Sequence, residues 1–183
     1  MKRRLRRLLA LLLVAALLAG LFSCSGLSAP ERATLRFMNR LQSGNIRLAE
    51  RVTLEGSLGI DRRSSGLYRP LFGSMEFAVN GVVRKGNVAH VSLGVTTVDL
   101  FLLMSEVSAD TARLLLSAGN RRKSDDIFGS LLSQRLRAGD APTFNYSATV
   151  RLVRIRGRWR VDLQGSDGLV EAITGGVPGV LGG

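Results

Sequence analysis

Cysteine and histidine are nearly absent from this chain of 183 residues, which has one of each, Cys24 and His90. A single thiol cannot form an internal disulfide, and beyond position 24 no residue is left for a Cys-based metal site or a catalytic thiol. A single imidazole excludes two-His metal sites and most relay triads. His90 alternates with Ala89 and Val91, so it reads as an outward strand residue. Carboxylates are also scarce, with 14 acids against 26 basic residues for a formal charge of +12. No acid lies inside an apolar run where burial would raise its pKa. Asp99 reads as a helix cap and Glu106 as a solvated helix residue. Aromatics are few: the only polar-tipped ones are Tyr68, Tyr146 and Trp159. The Gly-rich stretches Gly56-Ser57-Leu58-Gly59 and Gly175-Gly176-Val177-Pro178-Gly179 lack both the Lys and the strand–helix flanks of a phosphate cradle. No metal, no cofactor and no catalytic group is expected, and no internal repeat is visible.

What is present begins at the N-terminus. Met1-Lys2-Arg3-Arg4-Leu5-Arg6-Arg7 is strongly basic, fifteen apolar or small residues run from Leu8 to Phe22, and Ser23-Cys24 come next. A charged start, an apolar run and a small residue make the layout of an export signal. The run is shorter than the ~20 residues that a membrane-crossing helix needs, although an uncleaved anchor or ordinary secretion would use the same segment. All three place the rest of the chain outside the cytoplasm. With Cys directly after Ser23, residues 1–23 resemble a bacterial lipoprotein signal, although Phe22 is larger than the residue usual there. The resemblance implies that Cys24 carries lipid and becomes the mature N-terminus. Residues 24–29 are then a short lipidated tether to the extracytoplasmic face of the cell membrane. Two acyl chains give stable attachment where one does not.

Residues 1–23 hold five of the basic residues and no acids, so the remaining 160 residues carry 21 basic against 14 acidic groups, a formal +7. That length is one domain. The charge favours anionic partners, which outside a membrane are lipid headgroups or cell-wall polymers rather than nucleic acid. Because 23 of the 26 basic residues are Arg, a general Arg bias explains the same excess. The five residues after Cys24 reach at most ~18 Å, close enough for a basic face to feel the lipid surface.

Helices and strands alternate in blocks. Ser28 and Glu31 form a capping box with Pro30 in the first turn; Thr34, Phe37, Met38 and Leu41 make the inner face, and Gly44 ends the helix. Asn45 opens a short second helix with Ile46, Leu48, Ala49 and Val52 inward. Residues 55–66 read as loop, and Leu67 to Phe72 as at most one helical turn. Met75, Phe77 and Val79 alternate as a strand, Asn80-Gly81 bends it, and Gly86-Asn87 turns it. The partner strand is Ala89, Val91, Leu93 and Val95. Asp99 caps a long helical region from Leu100, with a break expected near Ser108-Ala109-Asp110. Gly119 to Lys123 is a basic loop; Ser124 starts another helix with Ile127, Leu131, Leu132 and Leu136 inward. Thr143 to Arg156 is a strand, Gly157 lies in its turn, and Arg158 to Leu163 return with Trp159, Val161 and Leu163 on the apolar face. Ser166-Asp167 are expected to cap a last helix, Leu169 to Ile173, closed by Gly175-Gly176. The tail, 176–183, is Gly-rich and flexible.

This order predicts an α+β fold, with a curved antiparallel sheet packed on N-terminal helices and a helical region inserted between strands. Four pieces carry a resemblance: Ala33-Thr34-Leu35-Arg36-Phe37-Met38 with Leu41, Gly44 and Asn45; Gly86-Asn87-Val88-Ala89-His90-Val91; Thr96-Thr97-Val98-Asp99; and Arg156-Gly157-Arg158-Trp159-Arg160-Val161-Asp162. Over most of residues 30–175 they are similar to nuclear-transport-factor-two-like (cystatin-like) domains of bacterial lipoproteins. The last piece resembles that family's Gly-Lys-Trp-Lys-Ile hairpin with Arg for Lys. The resemblance implies a cone-shaped fold and an envelope location, without an assigned chemistry.

Isomerases and dehydratases of that fold use a carboxylate and a Tyr or His inside the cone, a constellation that cannot be assembled here residue by residue. The expected function is therefore a non-catalytic binding or interaction module, and an isomerase, dehydratase or ligand carrier using the cone is the alternative. The candidate surface is the final hairpin, where Arg151, Arg154, Arg156, Arg158 and Arg160 surround Trp159. Arg is suited to phosphate and other anions, although a solvated ribbon face has the same composition. The middle helices, Leu100 to Leu136, are the expected place for a protein partner of unknown kind.

Overall fold

The computed structural model describes residues 26–58, 60, 65–118 and 124–176. The signal at 1–23, Cys24, the basic loop at 119–123 and the tail past Gly176 lie outside the described residues. In chain order the elements are α1 (Ala29–Gln42), α2 (Ile46–Glu50), α3 (Ser65–Gly73), β1 (Glu76–Lys85), β2 (Val88–Val98), α4 (Leu100–Ala118), α5 (Ser124–Ala138), β3 (Thr143–Ile155), β4 (Arg158–Asp167) and α6 (Leu169–Thr174). The fold is α+β, as the sequence predicts. Its four strands form one open antiparallel sheet in the order β1-β2-β3-β4, and α4 and α5 are the helical insertion between β2 and β3.

Local chemistry sets the ends of α1. The Ser28 N–H donates to Glu31 Oε2 at 2.6 Å and the Glu31 N–H to Ser28 Oγ at 3.4 Å, closing the capping box. Thr34, Phe37, Met38 and Leu41 are fully buried, and Gly44 leaves the helix with φ +69°. Asn45 then caps α2 by accepting from the Leu48 N–H.

One face of the sheet is apolar and covered. Ala89, Val91, Leu93 and Val95 of β2 stand opposite Leu152, Val150, Ala148 and Tyr146 of β3, and cross-strand partners share a face. Phe37, Met38, Leu41, Leu71, Phe72 and Met75 join them in one buried core. The opposite face carries His90, Ser92 and Thr96 beside Arg151, Thr149 and Asn145, the one-sided pattern of an antiparallel sheet wetted on its other face. The bend expected at Asn80-Gly81 is a register shift between Val79 and Gly81. It lets Val82 regain the inner face opposite Val91.

Three local expectations change. The residues expected to give at most one turn belong to a nine-residue helix, α3, with Pro70 inside it. The break expected near Ser108 does not occur; α4 is continuous for 19 residues. There the Ser108 and Thr111 hydroxyls donate to the carbonyls of Met104 and Val107, so their hydrogen-bonding capacity is met within the helix. Ser166 and Asp167 do not cap the last helix. Both belong to β4, and the cap position is Gly168 with φ +65° and no side-chain hydrogen bond. The register of β3 with β4 shifts between Thr149 and Arg151, whose partners are Asp167 and Asp162. The intervening residues of β4 form a bulge whose N–H groups are held by two carboxylates. Glu55 Oε1 accepts from the N–H groups of Leu163 (2.9 Å) and Gln164 (3.2 Å), and Asp162 Oδ1 accepts from that of Gly165 (2.9 Å).

Candidate functional site

β4 is an edge strand, and the cover over its edge creates the site. The chain after α2 runs alongside it: Thr53 forms a parallel bridge with Val161, the Val161 N–H donates to Val52 O at 2.9 Å, and the Leu54 N–H donates to Val161 O at 2.7 Å. Glu55 extends the cover to Leu163 and Gln164. Towards the β3–β4 turn this cover stops at Arg51 and Val52, and α1 passes over the gap. The result is a cleft of about 430 Å³ between α1, the segment at 51–52 and the hairpin tip at 157–160.

Its walls are arginine. Arg32, Arg36 and Arg40 are spaced four apart on α1, so they rise along one helix face; Arg51, Arg158 and Arg160 stand across from them. Trp159, Ala29, Ala33 and Val52 give it an apolar lining. No lining residue is acidic. Among the described residues, none of these six arginines has a carboxylate within salt-bridge distance; the described ion pairs are Arg113–Asp110, Arg135 with Glu106 and Asp140, and Arg151–Asp162. Several guanidinium groups are instead held by backbone carbonyls. Arg40 donates to Leu48 O at 2.7 Å, Arg160 to Arg51 O at 2.8 Å and Thr53 O at 3.3 Å, and Arg32 to Leu27 O. A carbonyl fixes a guanidinium in place without neutralising it. The cleft therefore gathers six positive charges, three of them held by backbone carbonyls.

The hairpin register divides the five arginines that the sequence singles out. Arg158 and Arg160 line the cleft. Arg151 is tied to Asp162, which is only 7 % exposed although the alternation of β4 puts it on the charged outer face. Arg154 stands opposite Trp159, so it shares the inner face of the sheet with it at the open end. Arg156 occupies the turn, with φ +48° beside Gly157 at +81°. Trp159, expected inward, is half-buried against the core and receives the Arg84 guanidinium 5.3 Å from its ring centroid. Such a contact favours the cation by roughly 0.5–1 kcal/mol at an exposed site. Arg32, Arg36, Arg40 and Arg51 escape a reading of the sequence alone. The four-residue spacing on α1 is visible there, but its significance depends on which strand α1 crosses.

Other candidate groups sit elsewhere. Tyr68 is buried and stacks on Phe72 at 5.8 Å, and burial pushes its hydroxyl pKa up. Tyr146 lies edge-on to Phe144 at 4.9 Å; burial and, after it, the nearby Asp99 and Glu171 charges push its pKa up. A raised pKa keeps this hydroxyl neutral and makes it a poorer acid. Asp99 caps α4, accepting from the Leu102 N–H at 2.9 Å. Glu106 is bound by Arg135 at 2.8 Å. His90 is exposed on the outer face of the sheet. Among the described residues no three His, Cys, Asp or Glu side chains are grouped to hold a metal ion, and no helix is long and apolar enough to cross a membrane. The middle helices expose Phe101 (77 %) and Leu116 (88 %) on α4.

Compared with protein-family models, curated proteins and solved structures, the chain matches none.

Proposed function

We propose that the chain is a lipid-anchored extracytoplasmic module that binds rather than catalyses. Lipid on Cys24 holds it to the outer face of a cell membrane, and a nuclear-transport-factor-two-like domain stands directly above the tether. The observation that carries this reading is the position of the only Cys, immediately behind a basic start, a fifteen-residue apolar run and Ser23. A buried structural thiol has no reason to sit there, whereas acylation requires it. The beginning of α1 at Ala29 supports the reading, because it leaves only a few residues between anchor and domain. In the binding role the interior serves as packing. Phe37, Phe72, Met38, Leu41, Leu71 and Met75 fill the space over the sheet as a core, and the basic exterior meets anionic headgroups or cell-wall polymers.

The test is metabolic labelling with a palmitate analogue of the full chain in a bacterial host, beside Cys24→Ala. Label on the wild type and none on the variant is the expected result. Equal labelling of the two, or of neither, overturns the anchor.

A further inference from the structure

The arginine cleft has a chemistry of its own. We propose that it binds a phosphate monoester or diester, and that under the anchoring reading its source is the headgroup of an anionic phospholipid. Three observations converge on phosphate. The lining residues include six guanidinium groups and no carboxylate, so an anion entering the cleft meets no competing like charge. Arg40 and Arg160 are fixed by backbone carbonyls, which leaves further N–H groups on each planar fork for tetrahedral oxygens. Trp159 lies two residues before Val161, whose N–H and C=O point to the outer edge of β4. The alternation of an antiparallel strand turns the Trp159 backbone N–H the same way, adding a neutral donor at the cleft floor.

Position favours a lipid as the source. Ala29, the first residue of α1, lines the cleft, and the five residues from Ser25 to Ala29 span at most ~18 Å. An acyl chain on Cys24 would therefore hold the cleft at headgroup depth. Half-buried Trp159, with an apolar body and a polar indole N–H, suits that interface. The source rests on the anchoring reading, but the phosphate chemistry does not.

The same residue supplies the measurement. Trp159 is the only tryptophan of the chain, so its fluorescence reports on the cleft. The full chain, purified in a neutral detergent, is titrated with glycerol 1-phosphate, with dihexanoyl phosphatidylglycerol, and with sodium chloride at matched ionic strength. A saturable change with both phosphate compounds and none with chloride is expected. Arg36→Gln/Arg158→Gln should weaken both at least tenfold, while Arg137→Gln, the same kind of charge loss at an exposed site on α5, should leave them unchanged. Arg36 and Arg158 are exposed, and an unaltered far-ultraviolet circular dichroism spectrum verifies that the double variant folds. Tighter binding of the lipid than of the free ester assigns the headgroup as source; equal binding supports a phosphate site and assigns a soluble ester instead. No response beyond chloride, or undiminished binding by the double variant, overturns the site. The titration is independent of acylation, so phosphate binding by a chain that fails to label at Cys24 would sink the anchor and leave the cleft standing.

Discussion

Arg151 and Asp162 face each other across the β3–β4 pair and are ion-paired, with Asp162 almost completely buried. Around them the Arg151 N–H donates to Ser166 Oγ at 2.9 Å, and the Ser166 hydroxyl donates to Asp162 O at 2.5 Å. A charge pair, a hydroxyl and two backbone groups thus lock the point where β4 bulges. Arg151 is structural for that reason, although in sequence it looks like its neighbours.

The first prediction separates the arginines by this difference. Arg151→Gln removes a charge-assisted hydrogen bond from a buried carboxylate and should lower unfolding free energy by about 2 kcal/mol. Arg154→Gln, at an exposed position with no ion pair among the described residues, should stay within about 0.5 kcal/mol of wild type. Urea denaturation of both variants checks it. Equal losses would mean that the pair contributes nothing particular to the fold.

The α1 capping box gives a pH dependence. The Ser28 side chain and then the Ser28 N–H hold the Glu31 carboxyl below its usual pKa of 4.5. A depressed folded pKa contributes stability that is complete above the unfolded value and is lost as pH falls through the folded one. Wild type should therefore be more stable than Glu31→Gln at neutral pH, and the gap should close below the usual carboxylate range. Ser28→Ala should cost about 1 kcal/mol at neutral pH. Melting temperatures measured across the acid range test both; a gap that is constant with pH would sink the role given to Glu31.

Much of this is legible locally. Ser28 with Glu31, Asn45, Asp99 and the alternation of Ala89 to Val95 each declare their element within a few residues, because caps and strand periodicity are short-range. The cleft is not legible in that way. It needs α1 to cross β4 and Thr53 to pair with Val161, a contact between segments more than a hundred residues apart with no local signal on either side. The end of β4 misleads for the same reason. Ser166-Asp167 resembles a cap, but Glu55 from the neighbouring segment and Asp162 from β4 itself satisfy the bulge, and Glu55 lies in a stretch that reads only as loop.

Arg156 is the one described non-glycine residue with positive φ. With Gly157 also positive, both central positions of the two-residue turn have the conformation that Asn-Gly prefers. A left-handed backbone costs most other residues roughly 1–2 kcal/mol. Arg156→Asn should therefore raise stability by about 1 kcal/mol. It should leave the phosphate titration unchanged, because Arg156 does not line the cleft. A lower urea midpoint would show that the Arg156 side chain stabilises the turn by more than its backbone costs.

The closing of α6 onto α4 provides the last prediction. Gly175 ends α6 with φ +67°, and its carbonyl accepts the Leu100 N–H at 3.1 Å, joining the end of one helix to the start of another. A Cβ at this position would collide with the Val98 carbonyl oxygen and come to 3.0 Å from Leu100 Cβ. Gly139 has a similar φ of +75° with open space around it, so it isolates the backbone cost from the collision. Gly139→Ala should lose only the left-handed penalty, about 1–2 kcal/mol, whereas Gly175→Ala must also push the end of α6 away from the β2–α4 junction and should lose about 3 kcal/mol or more. Chemical denaturation of the two variants reads the difference. Equal losses would mean that the α4–α6 junction yields freely, and that Gly175 is needed for its φ alone.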